Sequence, residues 1–149
     1  MTKRALPGLL LSAVLVSTAC GHEFEPPDRG ERIRQAEAVY TPALFDTVTW
    51  AEGQDRNGLG NEVYAGKCRN CHGPLGRGET DYAREQGLTI PSLVEPEWVY
   101  ASMDSLHKII FVGHEEGMPV YGEGGITPRE IDAVASYILN VLRPEVIGG

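Results

Sequence analysis

Apolar positions in this chain group into a few helical stripes separated by glycine- and proline-rich stretches. The clearest stripe is Ile131, Val134, Ala135, Ile138, Val141 and Leu142, spaced so that all six fall on one face of a helix. Thr127 as N-cap, Pro128 at the first helical position and Glu130 completing a capping box predict its start, and Pro144 predicts its stop. A second helix is predicted to begin near Ser102 or Asp104, to carry Leu106, Ile109 and Ile110, and to end at Gly113. A third, earlier in the chain, is predicted from about Gly60 to Asn70, with Tyr64, Cys68 and Cys71 on one face. No stretch sustains strand alternation except Phe45 to Trp50, so the expected class is all-α.

The N-terminal part follows a different pattern. Lys3 and Arg4 precede an apolar run from Ala5 to Val16, then the small residues Ser17, Thr18 and Ala19, and then Cys20. This predicts an export signal over residues 1–19, too short to span the bilayer as a helix. Residues 20–56 are charged and irregular, with Pro26 and Pro27, and are expected to form a tether followed by a packing arm around Phe45 and Trp50. The predicted helices place one small domain at residues 57–144, with a short tail at 145–149.

Chemistry enters with Cys68, Arg69, Asn70, Cys71 and His72, a C-x-x-C-H motif. The motif reads as covalent attachment of a c-type haem, with both cysteines as thioethers and His72 as an axial ligand of iron. Cysteine arithmetic argues against the alternatives. Zinc would need a second C-x-x-C or a closely spaced histidine pair, whereas the remaining cysteine is Cys20 and His107 and His114 stand seven apart. A thiol redox pair would need a strand before the motif, and the flanks are helical and glycine-rich. The run from Gly73 to Gly78 lacks the lysine and hydroxyl of a phosphate loop.

An electron-carrying haem needs a second axial ligand. Met118 lies in a Gly117-Met118-Pro119 loop between two helices, where proline stiffens the segment that presents the sulfur. Met103 is expected to serve packing at the start of its helix, and His22, His107 and His114 to be solvated, although His114 competes for the distal position by its place in the Met118 loop.

With Gly60, Tyr64, Gly73, Gly113, Pro119, Glu130 and Tyr137 added to the motif and Met118, the chain resembles the monohaem class I bacterial cytochromes c over about residues 57–142. The resemblance implies a small cytochrome c fold of about three main helices wrapped around one covalent haem c. It implies that Cys68 and Cys71 bind the haem, that His72 is proximal and Met118 distal, and that the first and last helices cross near Gly60 and Tyr137. Pro91 looks like the family proline whose carbonyl orients the proximal histidine. The leader resembles a bacterial lipoprotein signal, which implies lipidation of Cys20 and a membrane-anchored protein on the periplasmic side.

The formal charge of −8 includes Lys3 and Arg4 of the leader, and loss of those two takes it to −10. This disfavours nucleic acid and anionic lipid surfaces as partners and suggests redox proteins with a basic docking patch. The expected role is one-electron transfer between membrane redox complexes by a carrier rather than an enzyme. The alternative is a fixed haem subunit of a larger membrane oxidoreductase, and a third possibility is an enzyme or ligand sensor with a labile Met118.

Overall fold

The structure, a computed structural model, describes residues 28–52 and 54–149; the leader, Cys20 and His22 lie outside the described residues. Among the described residues every regular element is helical and there is no strand, as the sequence pattern predicts. The elements are α1 (Arg29–Val39), α2 (Arg56–Val63), α3 (Arg69–His72), α4 (Asp81–Glu85), α5 (Met103–Val112), α6 (Pro128–Tyr137) and α7 (Arg143–Ile147). A short 3₁₀ turn covers Pro42–Leu44.

Two departures concern continuity. The helix expected from Gly60 starts at Arg56, because the Asp55 carboxylate accepts the Gly58 N–H at 2.6 Å, and it runs through a π-turn at Tyr64–Cys68 directly into α3. Pro144 does not end the last helix. A second π-turn at Ile138–Leu142 widens the coil, so the proline falls at the beginning of the renewed segment α7, where its missing N–H removes no bond. Helix α6 itself starts as predicted. The Thr127 N–H donates to Glu130 at 2.7 Å and the Glu130 N–H to the Thr127 hydroxyl at 3.2 Å.

The core forms where α2 crosses α6 and α5 packs beside it. Leu106, Ile131 and Val134 are fully buried there. The crossing is close because Gly60 has no side chain. A Cβ at that position would collide with the Ala133 carbonyl and lie 2.6 Å from Cβ of Tyr137. Asn57 and Ser136 are bonded across the same crossing at 2.9 Å.

Of the segment expected to be an irregular tether followed by a packing arm, the stretch Arg29–Val39 is instead a helix. Asp28 caps α1 by accepting the Glu31 N–H at 2.8 Å, and Ile33 and Ala36 are buried in the core cluster as the helix packs on α5. Beyond the 3₁₀ turn, Phe45 stacks on His107 with ring centroids 3.8 Å apart. Trp50 donates its Nε1–H to Asp132 at 2.7 Å, under an Arg129 guanidinium 3.9 Å from its ring. Phe45 and Trp50 do pack as an arm, but through a turn and irregular chain rather than a strand.

His107 is a correction. Expected in solvent, it is buried, with its imidazole 3.3 Å from Asp132, which also accepts from Arg56 at 2.6 Å. The ring is covered by Phe45, which arrives from outside its own helix.

Candidate haem site

The π-turn at Tyr64–Cys68 ends where the C-x-x-C-H motif begins, and α3 holds Cys71 and His72. Such turns insert a residue into a helix and re-aim the side chains that follow. Three bonds fix the motif. The Tyr64 hydroxyl donates to the Gly73 carbonyl at 2.7 Å, the Gly78 N–H to the His72 carbonyl at 2.9 Å, and the Tyr121 hydroxyl to the Lys67 carbonyl at 2.9 Å. Tyr121 was not singled out from the sequence. Its only signal there is an aromatic residue three positions after Met118.

Met118 is set by the end of α5. Gly113 terminates that helix at a φ of 81°, and a Cβ on it would lie 2.8 Å from both the Met118 and Pro119 carbonyl oxygens. The chain then doubles back, with the His114 N–H donating to the Met118 carbonyl at 3.1 Å and the Gly117 N–H to the His114 carbonyl at 3.2 Å. Glycine at 113 is therefore required twice, for its backbone angle and for the close approach of the loop.

Cys68, Cys71, His72 and Met118 all line one cavity of about 470 Å³, walled largely by apolar side chains such as Leu93, Leu106, Ile109, Ile110 and Ile138. That size is within the range of pockets that enclose a small-molecule cofactor. Met103 packs against the core cluster, as its expected packing role requires. His114 also lines the cavity but is exposed, its Nδ1 accepting the Glu116 N–H at 3.2 Å.

Burial pushes the Cys68 thiol up to about 12, with Cys71 adding to the effect, and burial also raises Cys71. Both shifts favour the neutral thiol over the thiolate. Burial lowers the His72 pKa, while the Pro91 backbone pulls it back up; proline has no N–H, so its carbonyl is the group that acts. His72 is thus a neutral imidazole with a lone pair available, and its Nδ1 is buried without a partner at full hydrogen-bond geometry. Trp98 Nε1, in another lining residue, is likewise buried and unpartnered. Two thiols, an imidazole and a thioether around an apolar cavity are the donor set that a c-type haem requires.

A family model described as cytochrome C oxidase, cbb3-type, subunit III matches residues 56–138. The chain belongs to this family. The cbb3-type cytochrome c oxidase subunit CcoP of Rubrivivax gelatinosus is 26% identical to it over 84 residues, 56% of this chain and 25% of that protein. The chain thus matches about a quarter of that relative's length. No solved structure matches it. As a member of the cbb3-type subunit III family it is a c-type cytochrome that binds haem c and takes part in electron transfer. The matched residues run from the first residue of α2 to Ile138 and include the motif and the Met118 loop; α1 and α7 lie outside them.

Proposed function

We propose that this chain is an electron-transfer subunit of a larger membrane oxidase of the cbb3 type, holding one haem c through Cys68 and Cys71 with His72 and Met118 as axial ligands. The observation that carries the reading is that these four residues, 50 positions apart at the extremes, line a single apolar cavity. When bound, the haem supplies one-electron exchange between ferric and ferrous iron. The protein's part is to present a neutral imidazole at His72, hold Met118 on a loop pinned by Gly113 and His114, and exclude water with the apolar lining. A thioether is a weak donor that favours ferrous iron, so this ligand pair predicts a high-potential centre. A count of one haem rests on the single C-x-x-C-H in the sequence.

The test is the absorption spectrum of haem-loaded protein beside Met118→Ala. The weak sulfur-to-iron charge-transfer band of the oxidised form is expected in the parent and lost in the variant. A band that persists unchanged removes Met118 from the site.

A fixed subunit is favoured over a freely swinging carrier by the family match and by the packing of α1 and the arm on the haem domain. Co-purification of the chain with a membrane complex in mild detergent tests this. Export by residues 1–19 and lipidation of Cys20 belong to the same proposal, which puts the domain on the periplasmic side. The mass of the mature N-terminal peptide checks it, since a diacylated Cys20 and an unmodified N-terminus differ by hundreds of daltons, about the mass of two acyl chains.

A further inference from the structure

A second concavity, a groove of about 700 Å³, lies between α1 and α5 and takes in the chain at Val99 and Tyr100. Its apolar wall includes Ile33, Val99 and Val112, and Val99 is 81% exposed. Among the described residues its charged lining is Glu37, Asp104 and Glu115 against Lys108. Three residues, Tyr100, Ile109 and His114, line both this groove and the cavity that holds the motif and Met118. A body seated in the groove is therefore separated from that cavity by one layer of side chains. The outer wall is α1, which the family match leaves out, so the groove is built partly from this chain's own sequence.

We propose that this groove is the docking site for a redox protein that offers an apolar side chain ringed by lysine or arginine. The proposal rests on the electron-transfer reading above and assigns that transfer an entrance. Charge selects the occupant. Among the described lining residues, three carboxylates against one ammonium repel anionic lipid headgroups and a second copy of a chain whose formal charge is −8, and attract a basic rim. The exposed Val99 supplies the apolar contact that a purely electrostatic encounter lacks.

The test uses two small oxidants on reduced, haem-loaded protein: tris(phenanthroline)cobalt(III), an apolar trication, and ferricyanide, an anion. In each reaction one electron leaves the protein and reduces one metal centre, cobalt(III) to cobalt(II) or iron(III) to iron(II). Glu37→Lys with Asp104→Lys is expected to slow the cobalt reaction about tenfold or more at low ionic strength and to speed ferricyanide. Glu62→Lys with Glu145→Lys, the same charge change on two exposed residues outside the groove, is expected to have a much smaller effect. Val99→Trp, which fills the groove without changing charge, is expected to slow cobalt alone. Equal effects of the two charge-reversed pairs, or no effect of Val99→Trp, overturn the docking site. A dimer that Val99→Trp dissociates also overturns it, because the occupant is then a second copy. Failure of the parent protein to react with either oxidant would instead sink the electron-transfer reading, and so is distinguishable.

Discussion

Asp132 shows what one buried carboxylate organises. It accepts from Trp50 and Arg56 and faces His107, so it joins the arm, α2 and α5 to α6. Replacing it by alanine leaves a guanidinium and an indole N–H without their partner. Removing one side of a buried pair costs about 3–5 kcal/mol, and with Arg56 34% exposed the lower end applies, about 3 kcal/mol in chemical denaturation. The burial of His107 gives stability a pH dependence. Burial lowers its pKa, helped by Arg56, against Asp132 and Asp104, which raise it. The unfolded chain therefore takes up the proton at the ordinary value of about 6.5 while the folded protein resists it. Stability is fully present above that value and falls as the pH drops below it. Haem-loaded protein should be less stable at about pH 5.5 than at about pH 7.5, and His107→Gln should reduce that difference while leaving the share that His72 carries in the same direction. The lowered carboxylates Glu31 and Glu130 lose their contributions only in more acidic solution. The motif was legible because covalent haem attachment dictates its residue types and spacing, and the structure brings the Met118 loop to the same cavity. His107 was not, because its burial depends on Phe45, 62 positions earlier in the chain.

Among the elements, α5 and α6 were legible from caps and stripes that decide helix ends locally, and the structure keeps Ser102, Gly113 and Thr127 in those roles. Helix α1 left a fainter mark. Only Ile33 and Ala36 are buried, too few to make a stripe, although Asp28 followed three residues later by Glu31 is an N-terminal signal of the right kind. Pro144 misled because a proline stops a regular helix, whereas the π-turn before it shifts the bonding by a residue. The α2–α6 crossing gives the sharpest prediction at this scale. Gly60→Ala places a methyl against the Ala133 carbonyl and Tyr137, neither of which can rotate away because both contacts involve backbone or Cβ atoms. Over-packing of this kind costs about 3 kcal/mol, or a drop of about 10 °C or more in Tm for a domain of this size. By contrast, Thr127→Ala at the exposed cap should cost only about 1 kcal/mol.

At the scale of the whole molecule, the cofactor and the fold depend on one another. The haem cavity of about 470 Å³ is lined by the end of the Tyr64–Cys68 π-turn, α3, α5 and the Met118 loop, together with the core residues Leu93 and Ile138, and the core residues Leu106 and Ile110 of α5 face it. Unfilled apolar volume costs about 24 cal/mol per Å³, so a cavity this large amounts to as much as roughly 11 kcal/mol if it stays dry and unrelaxed. Water entering from the open side reduces that figure, yet even half of it is comparable with the whole stability of a small domain, about 5–15 kcal/mol. Protein matured without haem is therefore expected to lose its fixed packing. The helices with strong local signals, α5 and α6, should persist in part, since their caps do not involve the cavity. Cys68→Ser with Cys71→Ser, which removes covalent attachment while keeping His72 and Met118, separates the two states in one background. Its apoprotein should keep much of the far-ultraviolet helical dichroism, lose near-ultraviolet dichroism and bind a hydrophobic dye. Added haem should then restore a cooperative thermal transition through noncovalent filling of the same cavity. A cooperative, dye-free apoprotein with native near-ultraviolet dichroism would mean that the helices pack without their cofactor and that the cavity is far less costly than its volume implies.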